Sequence, residues 1–121
     1  MKINNGLVYF FTEWVFKDVP LVKGFDRVSE IHYFLYGYQT SEYNNYVSNG
    51  NGYWISDFMI YCDSILHEKL KNHPDYNSGF SYYNKIQLIQ KDDNDGLIIF
   101  YDLFKEFMRS IDPKIIDNSD G

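Results

Sequence analysis

From Trp54 to Asn72 the side chains of Ile55, Phe58, Met59, Cys62, Ile65, Leu66 and either Lys69 or Leu70 fall on one stripe, with Asp57, Asp63, Glu68 and Lys71 outside it. A stripe that repeats every ~3.6 residues belongs to a helix, and a helix that carries one must bury it against another element. A second stripe runs through Leu97, Phe100, Tyr101, Phe104, Phe107, Met108 and Ile111 and stops near Asp112-Pro113. Two such stripes in a chain of 121 residues commit it to helix packed on helix around one core. The expected fold is mostly α: a single domain over residues 1–121, built as a bundle of four or five helices.

The remaining segments read less sharply. Leu7, Phe10, Phe11, Trp14 and Val15 fit an amphipathic helix that Asn4 or Asn5 could cap. Phe and Tyr also favour strands, so a β reading of residues 7–17 stays open. Asp18 to Gly24 holds Pro20 and must be a connection. From Arg27 to Tyr43 the residues Val28, Ile31, Leu35 and Tyr38, joined by Tyr33, Phe34 and Tyr36, read as a largely apolar helix with Gly37 inside it. Glycine there costs about 1 kcal/mol relative to alanine, so close approach of a neighbouring element is the expected compensation. Asn44 to Gly52 is a turn-rich loop, and Ser56 is a possible cap for a slightly later start of the 54–72 helix. His73-Pro74 ends that helix, and Asp75 to Gly79 forms a second loop. A short helix is expected over Tyr82 to Gln90, burying Tyr83, Ile86 and Ile89, or Leu88 in another phase. Lys91 to Gly96 is an acidic turn, and Lys114 to Gly121 is expected to fray.

Composition limits the function classes. There is no alanine beside 12 Tyr, 10 Phe and 2 Trp, and the formal charge is −6. That charge repels phosphate backbones and anionic membranes and favours basic partners. Cys62 stands alone, so no internal disulfide can form. The apolar run Leu7 to Phe11 is interrupted by Glu13 and does not read as a signal peptide. A soluble, cytoplasmic protein is the expectation.

Few constellations suggest catalysis. With Gly96 at position six of an EF-hand loop, Asp93, Asp95 and Asp102 take ligand positions, but Lys91 falls where the first carboxylate belongs. The competing reading, which we prefer, makes Asp92 to Asp95 a turn whose carboxylates cap the last helix. Cys62, His67 and His73 have ligand chemistry without ligand spacing, and His32 has no placed nucleophile or carboxylate. No dinucleotide, P-loop, nucleophile-elbow or zincin motif occurs. Neither a cofactor nor a metal is expected. Tyrosine is a favoured interface residue, and Tyr43, Tyr46, Tyr53 and Tyr76 lie in or beside the two loops, where they either dock a partner or close loops onto the core. Asp95, Asp102 and Glu106 share one edge of the final helix, near Lys105 and Arg109.

Phe34-Leu35-Tyr36-Gly37-Tyr38, then Trp54 with Asp57-Phe58 and Glu68-Lys69-Leu70, Tyr83-Asn84-Lys85-Ile86, and Phe100 through Phe107 follow in an order that resembles small acidic helical immunity proteins of bacterial polymorphic and contact-dependent growth inhibition toxin systems. The resemblance covers residues 26–111. It implies a non-enzymatic protein that binds a cognate toxin C-terminal domain, commonly a basic nuclease, in a 1:1 complex. The expected partner-binding residues are Asp92, Asp93, Asp95, Asp102 and Glu106, with Tyr43, Tyr46, Tyr53 and Tyr76. The alternatives are a regulatory or adaptor interaction domain and, third, a small metal-dependent enzyme.

Overall fold

A computed structural model describes residues 5–44, 53–77 and 79–111. The expected loop at 45–52, which includes Tyr46, and the expected tail at 114–121 lie outside the described residues. Within them the chain is helical, with no strand: α1 (Asn5–Phe10), a π-helical turn (Phe11–Val15), α2 (Val28–Asn44), α3 (Tyr53–Leu70), α4 (Tyr82–Ile89) and α5 (Asp93–Ile111). The β reading of the first segment does not hold.

That first segment buries Leu7, Phe11 and Val15 as expected, but not Phe10 and Trp14. Leu7, Val8, Phe11, Thr12, Val15 and Phe16 are buried, whereas Phe10 is only partly covered and Trp14 is 48% exposed. The π turn is the reason. Phe16 donates its N–H to the Phe11 carbonyl at 2.8 Å, five residues back, and the wider turn keeps residues four apart in line. Leu7, Phe11 and Val15 therefore form one row, and Val8, Thr12 and Phe16 the next. The Thr12 hydroxyl is satisfied by the Val8 carbonyl at 2.9 Å. Trp14 instead lies over Gly24, whose φ of 86° and whose position 2.8 Å from the indole, measured from a Cβ placed there, both require glycine.

The connection is closed by Lys23, whose N–H reaches the Val15 carbonyl at 2.9 Å and whose ammonium pairs with Asp18 at 2.7 Å. Helix α2 begins where the Glu30 carboxylate accepts the N–H groups of Asp26 and Arg27 at 2.6 and 3.1 Å, satisfying donors that a helix start leaves without partners. Val28, Ile31 and Leu35 face inward. Gly37 does not behave as expected: it is exposed, and a Cβ placed on it would meet nothing within 4 Å. No neighbouring element within the described residues offsets its cost.

Helix α3 buries Trp54, Ile55, Phe58, Cys62, Leu66 and Leu70, close to the expected stripe. Ser56 is not its cap but lies inside the helix, where it accepts a hydrogen bond from Gln39 of α2. Past Leu70 the His73 N–H returns to the Leu70 carbonyl at 2.8 Å. At α4 the Asn84 side-chain oxygen accepts from the Ser81 backbone and hydroxyl at 3.4 and 2.8 Å. This cap fixes the first turn, so Tyr82, Lys85 and Ile86 are buried while Tyr83, Leu88 and Ile89 are half-covered. Ile86 is buried as expected, whereas Tyr82 and Lys85 are buried in place of Tyr83 and Ile89. Helix α4 packs on α2, α3 and α5 together, which leaves it little outward surface.

Phenylalanine fills the centre. Phe11 lies 5.3 Å from Phe104 and 6.0 Å from Phe100, and Phe58 lies 5.4 Å from Phe100 and from Phe107, ring centroid to centroid. Phe16 stacks on Tyr101 at 4.3 Å. The tilted and edge-on arrangements of the phenylalanines suit the ring quadrupole. They let helices meet through large rings in a chain with no alanine to bring backbones closer.

Candidate functional site

The acidic turn before α5 is built as a cap. Asp92 accepts the Asp95 N–H at 2.7 Å, and Asp95 in return accepts the Lys91 N–H at 2.8 Å. Both carboxylates also stand at the positive end of the helix dipole. Asp92→Ala should therefore cost about 1 kcal/mol in chemical denaturation, whereas Asp92→Asn should recover most of it. Equal losses in both would mean that the charge, not the hydrogen bond, supports the helix start.

The five expected carboxylates divide accordingly. Asp92 and Asp95 cap the helix, and Asp93 accepts from Gln90 at 3.1 Å. Asp102 and Glu106 stand exposed farther along α5. Asp102 pairs loosely with Lys105 at 3.7 Å, and Glu106 accepts the Tyr61 hydroxyl at 3.2 Å. Burial, then the Glu106 charge, pushes the Tyr61 phenol up from its ordinary range. Nine residues of helix separate Asp93 from Asp102, about 14 Å, so this is an edge with two ends rather than one cluster.

Of the four expected tyrosines, Tyr43 falls in the last turn of α2 and Tyr53 opens α3; their side chains, like Tyr46, lie outside the described residues. Tyr76 lines a polar cleft of about 430 Å³ with Asp63, Ser64, His67, Glu68 and Lys85. Its hydroxyl meets His67 Nδ1 at 2.5 Å, and its ring lies 5.7 Å from the Lys85 ammonium. Lys85 is 2% exposed and forms an ion pair with Asp63, which is half-exposed. Glu68 on the rim pairs with Lys71 at 3.0 Å, which holds its carboxyl below the usual range. Ser64 makes no hydrogen bond to His67. The cleft gathers polar groups without assembling a nucleophile and its base.

Sequence reasoning missed a third surface. Tyr33 and Tyr36 are 63% and 59% exposed on the outer side of α2, although their apolar neighbours had suggested a buried run. His32 stacks on Tyr83 at 4.4 Å, and the Tyr33 ring lies 5.2 Å from His32 and 6.2 Å from Tyr83. The neighbouring Tyr83 phenol raises the Tyr33 phenol above its ordinary range. His32 Nδ1 meets the Tyr82 hydroxyl at 3.0 Å, and burial lowers the imidazole below its ordinary value. The available signal was the 3.6-residue phase: Val28, Ile31 and Leu35 define the inner side, and Glu30, Tyr33, Gly37 and Thr40 fall opposite them.

Cys62 is buried in the core, and burial pushes its thiol far up. Such a thiol is a packing residue rather than a nucleophile. Among the described residues no three His, Cys, Asp or Glu side chains come together as a metal site. None of the described helices is long and apolar enough to cross a membrane. Comparison with protein-family models, curated proteins and solved structures finds no match to this chain.

Proposed function

We propose that this chain neutralises a bacterial toxin domain by stoichiometric docking in the cytoplasm, and that the partner is basic, as a nuclease would be. One observation carries the reading: the excess acidity lies on the surface and is not consumed internally. Four ion pairs join described residues, Lys23 to Asp18, Lys71 to Glu68, Lys85 to Asp63 and Lys105 to Asp102. Exposed Glu13, Asp57, Asp93 and Glu106 have no cationic partner among the described residues. A surface of this kind accelerates encounter with a cationic protein, while buried contact area governs dissociation.

The test is co-expression with the product of the adjacent reading frame. A 1:1 complex and protection of the host are expected, with an association rate that falls about tenfold or more from low to high salt. Absence of a complex, or a complex without protection, overturns the reading. The exposed Tyr33 and Tyr36 also favour a second reading, a regulatory domain with a homomeric partner. Sedimentation of the isolated chain separates the two, because self-association at micromolar concentration belongs only to the second.

A further inference from the structure

Resting on the toxin-binding reading, we propose that the partner's cationic side chains dock on the outer face of α2, over Tyr33 and Tyr36, and that its backbone approaches at Gly37. Three observations converge there. Tyr33 and Tyr36 are exposed by 63% and 59%, yet the Tyr33 ring is held in place by ring contacts with His32 and Tyr83. Rings ordered before binding lose little freedom on binding, which is how tyrosine becomes an anchor.

Gly37 lies one turn beyond Tyr33 in the middle of a helix, where glycine is unfavourable. Nothing within 4 Å would oppose a Cβ there, so no contact among the described residues explains the glycine. The missing side chain leaves the helix surface beside Tyr33 open to another backbone.

Charge selects the occupant. A second copy also carries −6 and is repelled, whereas lysine or arginine is drawn to the faces of tyrosine rings. On this face of α2, Glu30 stands one turn before Tyr33 and adds to that attraction, while Arg27 lies farther around the helix.

The experiment measures affinity of the full chain for the adjacent reading frame's product, with melting followed in parallel. Tyr33→Ala and Tyr36→Ala should each weaken the complex about 30-fold with little change in melting, and Tyr36→Phe should keep most of the affinity. Gly37→Ala should separate the two readouts, raising the melting midpoint by about 4 °C while weakening the complex about tenfold. If the wild-type complex forms and all three alanine variants bind as tightly, this docking face is wrong and the toxin-binding reading stands. If no wild-type complex forms, both fall. A dimer of the isolated chain that Tyr33→Ser abolishes would assign the face to a second copy and overturn the cationic partner.

Discussion

Replacing Phe11 by alanine should destabilise the fold by about 3–5 kcal/mol, a large share of what a domain of this size possesses. Phe11 is fully buried, and its ring contacts Phe34, Phe100 and Phe104 from a segment that joins the rest of the core largely through such rings. Little can collapse into the space, because the surrounding rings are themselves wedged against Phe58 and Trp54. Trp14→Ala removes a larger side chain, yet it should cost only about 1 kcal/mol, since the indole is half-exposed and lies over Phe10 and Gly24. Urea denaturation of the two variants decides between two registers. A regular α-helix through residues 7–15 would bring Phe10 and Trp14 into the core; the π turn excludes them. A large loss for Trp14 and a small one for Phe11 would refute the observed register.

The two long stripes were legible in the sequence because they depend only on local spacing. Helix α3 begins and ends within about two residues of where Trp54 and His73-Pro74 place it, and α5 runs to Ile111, just before Asp112-Pro113, but α5 starts at Asp93, so most of the expected turn at Lys91 to Gly96 is its first helical turn. The cap at Asp92 was equally local. What escaped depends on features that spacing does not encode. The π turn adds a residue to one turn and rotates everything before it, so Leu7, Phe11 and Val15 stay in the expected row while Phe10 and Trp14 give way to Val8, Thr12 and Phe16. In α4 the cap at Ser81 set the phase, bringing Tyr82 and Lys85 inward. Gly37 was expected to touch a neighbour, and the described fold supplies none.

Phenylalanine supplies most of the buried rings, and among the described tyrosines Tyr9, Tyr33 and Tyr36 are exposed while Tyr82 and Tyr101 are buried. The exposed tyrosines were sought beside loops. Tyr33 and Tyr36 instead stand on a regular helix, hidden in the sequence by the apolar residues between them. The polar cleft was also invisible, since Asp63 and Lys85 are 22 residues apart and meet only through the packing of α3 on α4.

That meeting predicts an asymmetric response to mutation. Asp63→Ala should cost about 2–3 kcal/mol, because it strands the Lys85 ammonium in a site where it is 2% exposed. The loss falls below the ~3–5 kcal/mol typical of fully buried pairs because water reaches the cleft through the half-exposed Asp63 side. Lys85→Met removes the charge that needs compensation and keeps a long apolar stem, so its stability should stay within about 1 kcal/mol of the wild type or rise. With Lys85→Met in place, Asp63→Ala should become nearly neutral, and a double-mutant cycle measures that coupling directly. If Lys85→Met alone is as damaging as Asp63→Ala, the ammonium contributes through its contact with the Tyr76 ring rather than through the pair, and the ion-pair account fails. The same variants probe the cleft's use in docking. If the partner docks on the α2 face, Lys85→Met should leave its affinity unchanged, because Lys85 lies in the cleft with Asp63 and Tyr76, two residues and about 200° around α4 from the Tyr83 ring that faces Tyr33.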